Sequence, residues 1–383
     1  MTKNLTLRHL EVIIKIIERC NLNCSYCYFF NAQDQSFKHH PLSISIDTVE
    51  KIACFIKQAY KDFNFNSITI DFHGGEPLLL KKHLFGQFCN ILKNAVPESV
   101  KLKFTVQTNG TLLSKEWLTL LRQHEVRIGV SLDGTEEIND LHRRDFHDRG
   151  TYKAAVRGIK LAQEYGYDDV AILCVVNPKA NAKRIYRHFI DDLRVRNMDF
   201  LLPYISYDSI GSNNPIEYGN FLKELFNEWF SDNNPQIFIR LFKSSILLFL
   251  GQNSYLITQG DNIKNAVAIT IASNGDIFAD DVLKSAKFET YSGYSVNNIS
   301  LRDLLKTPVF SAIHQGMIYT PNECTGCKWL NVCGGGEPVH RHSEGHGFNN
   351  KSVLCEGLKI YFNNIFNHLL KSGLKQEDLN INS

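Results

Sequence analysis

Short apolar runs alternate with amphipathic stretches along the first 205 residues of the chain. Runs rich in Val, Ile and Phe predict β-strands, whereas apolar residues at intervals of three and four predict helices. The predicted strands are His9–Ile17, Ser67–Phe72, Lys101–Gln107, Val126–Ser131, Val170–Val176 and Met198–Ile205. The predicted helices are Asp47–Tyr60, Lys82–Asn94, Ser114–His124, Thr151–Tyr165 and Lys183–Leu193. We expect Asp47 to cap the first helix, because a side-chain oxygen there can accept a backbone N–H.

Strand and helix alternate six times, which predicts a parallel sheet with right-handed crossovers. Polar or glycine-rich clusters follow the predicted strands, at the edge where α/β barrels gather their functional groups. These clusters are residues 73–77, 108–110, 132–134 and 177–178. A closed barrel of this kind has about eight units, so six units predict an α/β fold with a partial (β/α)6 barrel that admits a bulky substrate.

The second half of the chain predicts a smaller module with a β-hairpin. A turn signal at Ser273-Asn274-Gly275 separates the apolar stretches Val267–Ile271 and Asp276–Ala279. Further helices are predicted at Glu217–Phe230, Phe238–Leu250, Leu301–Leu305 and Glu356–Leu370. The expected division is 1–210 for the barrel, 211–255 for two bridging helices, 256–370 for the module and 371–383 for a polar tail that frays.

Composition narrows the class of protein. A formal charge of +2 on 383 residues, without a basic block, argues against nucleic-acid and other polyanionic partners. Met1–Leu10 lacks the basic and apolar pattern of a secretory signal, and Ile246–Leu250 is too short to span a bilayer. We therefore expect a cytoplasmic protein, in which ten cysteines indicate metal or redox chemistry rather than disulfides.

Three of these cysteines, Cys20, Cys24 and Cys27, lie in one short loop after the first predicted strand. A cubic four-iron cluster is usually held by four cysteine thiolates, so a trio leaves one iron open. An open iron can bind a small chelating ligand and pass it an electron, whereas a structural zinc site is closed by protein. A zinc knuckle or three unrelated buried thiols are the alternatives.

With Tyr26 just before the last cysteine, this loop resembles the signature of the radical S-adenosylmethionine (SAM) enzymes. The resemblance implies that the open iron chelates SAM and that reductive cleavage releases a 5′-deoxyadenosyl radical. Gly74-Gly75-Glu76-Pro77 is similar to the family's motif for the methionyl amino group. We expect the glycines to allow close backbone approach and Glu76 to accept from an ammonium group. Taken alone, the four residues could be a simple turn.

Four further residues along the same edge are candidates for contacts to SAM. Ser131 and Arg143 match contacts to its ribose and carboxylate, and an arginine suits a carboxylate through its paired donors. Asn109 and Asn177 are placed to reach the ribose and adenine, although Asn-Gly and Asn-Pro are also ordinary turn pairs. Arg144 competes with Arg143, and a surface charge is the alternative for either.

A second cysteine group resembles the SPASM extension of radical enzymes that modify peptides. Its members are Cys324, Cys327, Cys333 and Cys355. Four thiolates form a closed site, either for an auxiliary four-iron cluster or for zinc. SPASM modules usually carry two auxiliary clusters, but this chain has Asp280 and Glu337 at two ligand positions of the other cluster and no cysteine between Cys174 and Cys324. We therefore expect two [4Fe-4S] clusters in all, one binding SAM and one auxiliary.

The resemblance extends to function. Asp281 matches an aspartate that takes a proton from the substrate radical in sulfatase-maturing relatives. The leading hypothesis is a peptide maturase that abstracts a Cβ hydrogen from a ribosomally made precursor and forms a cyclophane-type crosslink. A formylglycine-forming, epimerising or thioether-forming maturase is the enzyme alternative, and a leader-binding iron–sulfur scaffold is the non-enzyme alternative.

The expected partners are a precursor peptide with its leader and an external electron donor. Either a separate leader-recognition protein or the bridging helices and sheet edge would hold the leader.

Overall fold

The computed structural model describes residues 6–32 and 34–382. Within these ranges, one open sheet of ten strands forms the centre of the molecule, in the order β10-β9-β8-β1-β2-β3-β4-β5-β6-β7. The strands are β1 (His9–Ile17), β2 (Ser67–Gly74), β3 (Lys101–Thr108), β4 (Val126–Ser131), β5 (Ala171–Val175), β6 (Asn197–Leu201), β7 (Phe238–Ile239), β8 (Ala266–Ile271), β9 (Asp276–Phe278) and β10 (Tyr291–Ser295).

The first six strands pair in parallel in chain order, which confirms the predicted partial barrel. In β1 and β2 the registered pairs Val12–Ile70 and Ile14–Phe72 are fully buried. Burial of this apolar face stabilises the sheet, since each buried large side chain contributes about 1.5–3 kcal/mol. The sixth strand ends at Leu201, four residues before the predicted end.

Helices follow the strands as the sequence predicts. They are α1 (Ile46–Phe63), α2 (Lys82–Lys93), α3 (Lys115–Gln123), α4 (Glu136–His142), α5 (Tyr152–Glu164), α6 (Ala182–Arg187), α7 (Pro215–Asp232), α8 (Arg240–Phe249), α9 (Asn262–Asn265), α10 (Leu301–Leu304), α11 (Pro308–Ile318), α12 (Leu330–Cys333), α13 (Pro338–Arg341) and α14 (Cys355–Lys371). A single π-helical turn, His188–Asp192, continues α6. Within the described residues, five short 3₁₀ segments lie at Ser36–His39, Pro77–Leu79, Asp281–Ala286, Asn322–Cys324 and Gln376–Asp378. The helices α4, α9, α11, α12 and α13 were not predicted.

The prediction that Asp47 caps α1 is wrong. Ser45 is the N-cap, and its hydroxyl accepts a hydrogen bond from the Thr48 backbone N–H at 3.0 Å. Asp47 lies in the first turn and pairs with Lys51 at 2.7 Å. Both residue types are good N-caps, so their two-residue separation left the sequence ambiguous.

The predicted hairpin is confirmed, and it belongs to the same sheet as the barrel. Strand β8 pairs in parallel with β1, and β9 returns antiparallel to β8 around Gly275, whose φ is +92°. This pairing carries the segment after β9, which contains Asp280 and Asp281, to the rim beside the end of β1. The unpredicted strand β10 completes the hairpin as an edge strand.

The carboxyl-terminal helix α14 packs on α7. Gly219 and Gly357 lie at the crossing, where a Cβ on Gly219 would be 2.4 Å from the Gly357 carbonyl oxygen. Beyond α14, Asn380 donates its backbone N–H to Phe249 at 2.7 Å, and Asn382 donates to Lys328 at 3.0 Å. The expectation of a frayed tail is therefore wrong for the described residues up to 382.

The division into 1–210, 211–255 and 256–370 remains a prediction, and residues 1–5 and 383 lie outside the described residues. Among the described helices, none combines the length and apolar character needed to cross a bilayer.

Candidate functional site

The cysteine loop begins directly after β1. Its three thiols are half-buried. Cys24 and Cys27 lie close enough to Cys20 to raise the pKa of its thiol. A turn closes on the Cys24 carbonyl, which accepts the Cys27 backbone N–H at 3.0 Å. Burial, aided by the two neighbouring thiols, raises the pKa of Cys20 to about 12. Thiolates at this place therefore require a strong cation, and the donor set fits an iron cluster.

The motif after β2 is attached to the start of this loop. Gly75 donates its backbone N–H to Ile17 at 2.7 Å, and Glu76 donates to Arg19 at 3.0 Å. A Cβ on Gly74 would lie 2.0 Å from the Ile17 carbonyl oxygen, and one on Gly75 would lie 2.1 Å from that of Arg19. Only glycine permits such approach, so the two glycines fix the loop to the rim of the sheet.

The Glu76 carboxylate is used within the protein. It is fully buried and accepts hydrogen bonds from the Thr108 hydroxyl at 2.7 Å and the Leu78 backbone N–H at 2.9 Å. Its other oxygen accepts the Asn109 backbone N–H at 2.8 Å. The expectation that the carboxylate also accepts from an ammonium group stays a prediction. Within the protein, Glu76 joins the ends of β2 and β3.

Asp133, in the loop after β4, organises the opposite side of the loop. Its carboxylate pairs with Arg143 Nε at 2.9 Å and Nη2 at 3.3 Å, and it accepts the Val175 backbone N–H at 3.0 Å. The Tyr26 hydroxyl also donates to it, and the Arg143 guanidinium lies 5.4 Å from the Tyr26 ring centroid. Burial opposes the charge of Arg143, yet Asp133 outweighs it and the pKa of Arg143 is raised.

The two candidate arginines differ in their environment. The Arg143 side chain is 11% exposed and faces the cysteine loop through Tyr26, whereas the Arg144 side chain is 40% exposed and pairs with Asp148 at 2.9 Å. Only the backbone of Arg144 contacts the loop, where its carbonyl accepts the Asn23 N–H at 2.8 Å. Arg143 therefore fits a ligand contact better than Arg144.

The other three candidates lie along the same rim. Asn109 Nδ2 donates to Asn21 Oδ1 at 2.8 Å and lies 3.9 Å from Cys20 Sγ. Ser131 Oγ accepts from Gln107 Nε2 at 2.8 Å. Asn177 closes a local turn by accepting the Lys179 backbone N–H at 3.1 Å. The structure thus brings Asn109 to the cysteine loop, while Asn177 forms a turn after β5.

Asp281 forms a buried ion pair with Lys15 of β1. The Lys15 Nζ and Asp281 Oδ2 atoms are 2.6 Å apart, and the side chains are 2% and 4% exposed. The Tyr28 hydroxyl, next to Cys27, lies 3.4 Å from the same carboxylate oxygen. Burial opposes ionisation, but the Lys15 ammonium outweighs it and the pKa of Asp281 is lowered. The carboxylate is therefore held charged beside the cysteine loop.

His73 lies on the other side of this pair. The Gly74 backbone N–H donates to His73 Nδ1 at 2.8 Å, and Lys15 Nζ lies 3.4 Å from the same nitrogen. Burial lowers the pKa of His73 to about 3, so the ring is neutral and its Nδ1 is an acceptor. Among the described residues, Asp281 is therefore the carboxylate within ion-pair distance of Lys15, and the Lys15 charge also acts on Asp71 and Asp280.

The second cysteine group also comes together. The Cys355 thiol lies close enough to Cys333 and Cys324 to raise their pKa values. Cys327 in turn lies close enough to Cys355 to raise its pKa. Burial is the larger cause that raises the pKa of Cys333 to about 12, and the neighbouring Cys355 adds to it. Four mutually close thiols of this kind fit an auxiliary cluster. Within residues 6–32 and 34–382, no three His, Cys, Asp or Glu side chains are gathered closely enough for a single metal ion.

The glycine triplet brings Cys355 to this group. Gly334, Gly335 and Gly336 all have positive φ, at 62°, 88° and 93°. A Cβ on Gly336 would be 2.6 Å from the Ser352 Cβ, and the Gly335 carbonyl accepts the Ser352 N–H at 3.1 Å. The segment before α14 can therefore reach the chain that follows Cys333.

Sequence reasoning did not identify Asp133, Lys15 or His73. A signal existed for Lys15, which is one charged residue inside the apolar run of β1. Asp133 was visible only as part of a Leu-Asp-Gly turn. Its role depends on contacts with Tyr26, Arg143 and β5. These groups are distant in sequence, so no local pattern indicates the contacts.

Comparison with known proteins agrees with this geometry. Residues 14–189 match the Radical SAM superfamily. A cysteine-type anaerobic sulfatase-maturating enzyme of Clostridium novyi is 26% identical, covering 93% of this chain and 95% of its own. A serine-type anaerobic sulfatase-maturating enzyme of Bacteroides thetaiotaomicron is 24% identical, covering 90% and 86%.

Solved structures resemble the whole chain. Native anSMEcpe with bound AdoMet and Cp18Cys peptide has a TM-score of 0.80 at 24% identity, covering 95% of this chain and 98% of that one. The fold of the chain, including its carboxyl-terminal part, is therefore that of anSMEcpe. The residues that match the Radical SAM superfamily carry the cysteine loop, the Gly74-Gly75 motif and Arg143.

Proposed function

We propose that the chain is a peptide maturase that oxidises the Cβ of a Cys or Ser side chain to formylglycine. The observation that carries this proposal is the similarity along nearly the full length to both cysteine-type and serine-type sulfatase-maturating enzymes. It favours the sulfatase-type alternative over the cyclophane-forming hypothesis, which none of these relatives supports.

The residues fit a SAM-binding cluster. Cys20, Cys24 and Cys27 would hold it, and when SAM is bound the cluster would supply the electron that generates a 5′-deoxyadenosyl radical. The backbone of Gly74 and Gly75, at the base of the loop, would face the methionyl amino group.

The rest of the proposed SAM site lies along the rim. Arg143, oriented by Asp133 and Tyr26, would take the methionyl carboxylate through its remaining guanidinium donors. Asn109, Ser131 and Asn177 would contact the nucleoside.

Asp281 and Lys15 would handle the substrate proton. Loss of a Cβ hydrogen atom to the radical, then of one proton from the thiol or hydroxyl and one electron, gives a thioaldehyde from Cys or an aldehyde from Ser. Water then exchanges sulfide for oxygen in the Cys product. Asp281 is held charged by Lys15, so it is ready to accept the proton, and Lys15 would limit the charge change when it does.

The electron would leave through the second thiol group. Cys324, Cys327, Cys333 and Cys355 fit one closed auxiliary cluster, which could accept an electron from the substrate and pass it to an external carrier. The external electron donor, the precursor peptide and its leader remain proposed partners.

A crosslink-forming maturase is the second candidate, because Asp280 and Glu337 stand where the SPASM resemblance places ligands of another auxiliary cluster. This chain therefore departs from the two-cluster pattern at the site nearest the substrate base.

The test is anaerobic reconstitution with iron and sulfide, followed by SAM, dithionite and peptide pools with a central Cys or Ser. The proposal expects 5′-deoxyadenosine and a peptide aldehyde that a hydrazide captures. Asp281→Asn should lower the aldehyde yield, whereas Cys54→Ser, at an exposed thiol outside both groups, should not change it. Loss of two hydrogens without an aldehyde would favour the crosslink instead. No deoxyadenosine from a fully loaded protein would contradict both candidates.

A further inference from the structure

An arginine is completely buried beside the second cysteine group. Arg341, the last residue of α13, is only 1% exposed. A Cβ on Gly335, two residues after Cys333, would lie 3.6 Å from its guanidinium carbon Cζ. Arginine keeps its proton in proteins, so a full positive charge lies inside this part of the molecule.

Carbonyl oxygens, rather than carboxylates, hold this guanidinium. Its Nη2 donates to the carbonyls of Phe348 at 2.8 Å and Tyr319 at 3.1 Å, and its Nε donates to the carbonyl of Asn350 at 3.3 Å. The ion pairs among the described residues include none with Arg341. Carbonyl dipoles orient the side chain but leave its net charge uncompensated.

The anionic groups that act on Arg341 belong to the second cysteine group. Burial lowers the pKa of Arg341, whereas thiolates at Cys324 and Cys333 raise it. In return, Arg341 opposes the rise that burial imposes on the pKa of Cys324. A buried charge requires an opposite charge nearby, and these thiolates supply it.

The chain segments that place the thiols also place the guanidinium. One of the carbonyls that bind it comes five residues before Cys324, and the other two come five and seven residues before Cys355. Gly335 packs against it from the segment that follows Cys333. The charge of Arg341 is therefore fixed in position relative to these three cysteines.

The cations beside the first cysteine group differ from Arg341, because they have carboxylate partners. Arg143 pairs with Asp133 at 2.9 Å, and Lys15 pairs with Asp281 at 2.6 Å. Arg341 instead adds net positive charge to its surroundings.

We propose that Arg341 raises the reduction potential of the auxiliary cluster, so that this cluster accepts an electron from the substrate. Reduction adds one negative charge to a cluster held by four thiolates, and net charge is among the features that set such potentials. A fixed cation in a poorly solvated site stabilises the reduced, more negative state over the oxidised one.

The part of this inference that concerns the substrate rests on the proposed function. There, the substrate radical loses one proton to Asp281 and one electron. The auxiliary cluster is the one-electron acceptor, and an external carrier takes the electron from it. A higher potential at the acceptor favours this transfer.

The first test measures the potential without any peptide. The whole chain carries Cys20→Ala, Cys24→Ala and Cys27→Ala, so that the second cysteine group holds the remaining cluster. After anaerobic reconstitution, electron paramagnetic resonance follows its reduction in a redox titration. Arg341→Gln should lower the reduction equilibrium constant at least about tenfold, which is about 59 mV for one electron. Arg341→Lys keeps the charge and should titrate close to the parent.

Lys359→Met is the matched control. Lys359 also acts on Cys355, but its side chain is 45% exposed and pairs with Glu356 at 3.1 Å. Solvent screens an exposed charge, so this variant should change the potential much less than Arg341→Gln. Water that enters beside an altered side chain favours the more highly charged reduced state. It would raise the potential, so a fall cannot come from a loosened site.

An unchanged potential in iron-loaded Arg341→Gln, or equal falls in Arg341→Gln and Arg341→Lys, would overturn the proposal. Zinc in place of iron at the four thiols would overturn it too. If Arg341→Gln does not load iron, Arg341→Lys decides the result. It should load iron and titrate at the parent potential, and its failure to load would refute a role for the charge. Circular dichroism and iron content show that each variant is folded and loaded.

The second test uses the holoprotein with SAM, dithionite and the Cys or Ser peptides. Arg341→Gln should form 5′-deoxyadenosine like the parent but yield less oxidised peptide for each deoxyadenosine, and Arg341→Lys should restore the yield. Equal yields in all three proteins would refute the assignment of the substrate electron to this cluster. A lowered potential in Arg341→Gln, with no peptide oxidised even by the parent, would instead refute the proposed function and leave the effect of Arg341 on the potential in place.

Discussion

Replacing Lys15 by methionine tests whether the Lys15–Asp281 pair controls the charge at the site. The two atoms are 2.6 Å apart and both side chains are almost completely buried. Methionine keeps much of the volume of lysine but removes the ammonium group. The Asp281 carboxylate would then have the neutral neighbours His73 and Tyr28 and the more distant Lys284, which is itself paired with Asp34. Removing one partner of a buried pair costs about 3–5 kcal/mol, because it leaves an uncompensated buried charge.

The direction in which the free energy of unfolding changes with pH follows from the pKa of Asp281. In the parent protein the folded-state pKa of Asp281 lies below the ordinary value of 3.8. Its contribution to the free energy of unfolding is therefore present above that value and is lost as the pH falls through the lower folded-state pKa. In Lys15→Met, burial acts without the ammonium and raises the pKa of Asp281. The variant should then gain stability, relative to the parent, as the pH falls from neutral towards 5.

The assay is urea unfolding of anaerobic protein, followed by far-ultraviolet circular dichroism between pH 5 and 8. We expect the loss of about 3–5 kcal/mol at neutral pH, and a smaller loss in the double variant Lys15→Met/Asp281→Asn, which has no buried charge. Lys51→Met removes one partner of the exposed Asp47 pair and should change stability by about 1 kcal/mol or less. A similarly small, pH-independent effect of Lys15→Met would refute the reasoning.

Three further predictions follow from the structure. Asp133→Asn should weaken SAM binding about tenfold or more, because it loses a charged partner that orients Arg143; equilibrium dialysis measures this, and unchanged affinity would exclude the orienting role. Gly74→Ala should lower both stability and iron content, since its Cβ would be 2.0 Å from the Ile17 carbonyl oxygen. The control is Gly251→Ala, which has open space around it and should cost only about 1–2 kcal/mol of backbone strain. Cys355→Ala should remove the auxiliary cluster's iron yet leave SAM cleavage intact, so that deoxyadenosine forms without peptide oxidation; intact peptide oxidation would show that the second thiol group is not needed.

The periodicity of the chain was enough to predict the six parallel strands and the β8–β9 hairpin, because each apolar run is buried as its pattern indicates. It could not show that β8 joins β1, since strand pairing over so large a separation depends on the whole sheet. The helix α11 and strand β10 were missed for a similar reason. Their sequences have little local periodicity, and their positions depend on packing against the rest of the chain.

At the site, residue spacing located both cysteine groups, and the structure brings the members of each group together. Residue spacing could not predict the hydrogen bonds of Glu76. Its carboxylate accepts from groups at the end of β3, more than thirty residues away in sequence. The choice between Arg143 and Arg144 was also open until Asp133 and Tyr26 appeared beside one of them. Spacing finds ligands on one loop, but it does not find the partners that other strands contribute.

The most direct test of the account is whether SAM binds an iron held by Cys20, Cys24 and Cys27. Electron-nuclear double resonance of the reduced, anaerobic protein with isotope-labelled SAM measures coupling between the cluster and the methionyl nitrogen and carboxylate oxygen. The account predicts coupling to both atoms, which persists in Cys355→Ala and disappears in Cys24→Ala. Absence of coupling in fully loaded protein, or coupling that survives the loss of Cys24, would contradict it.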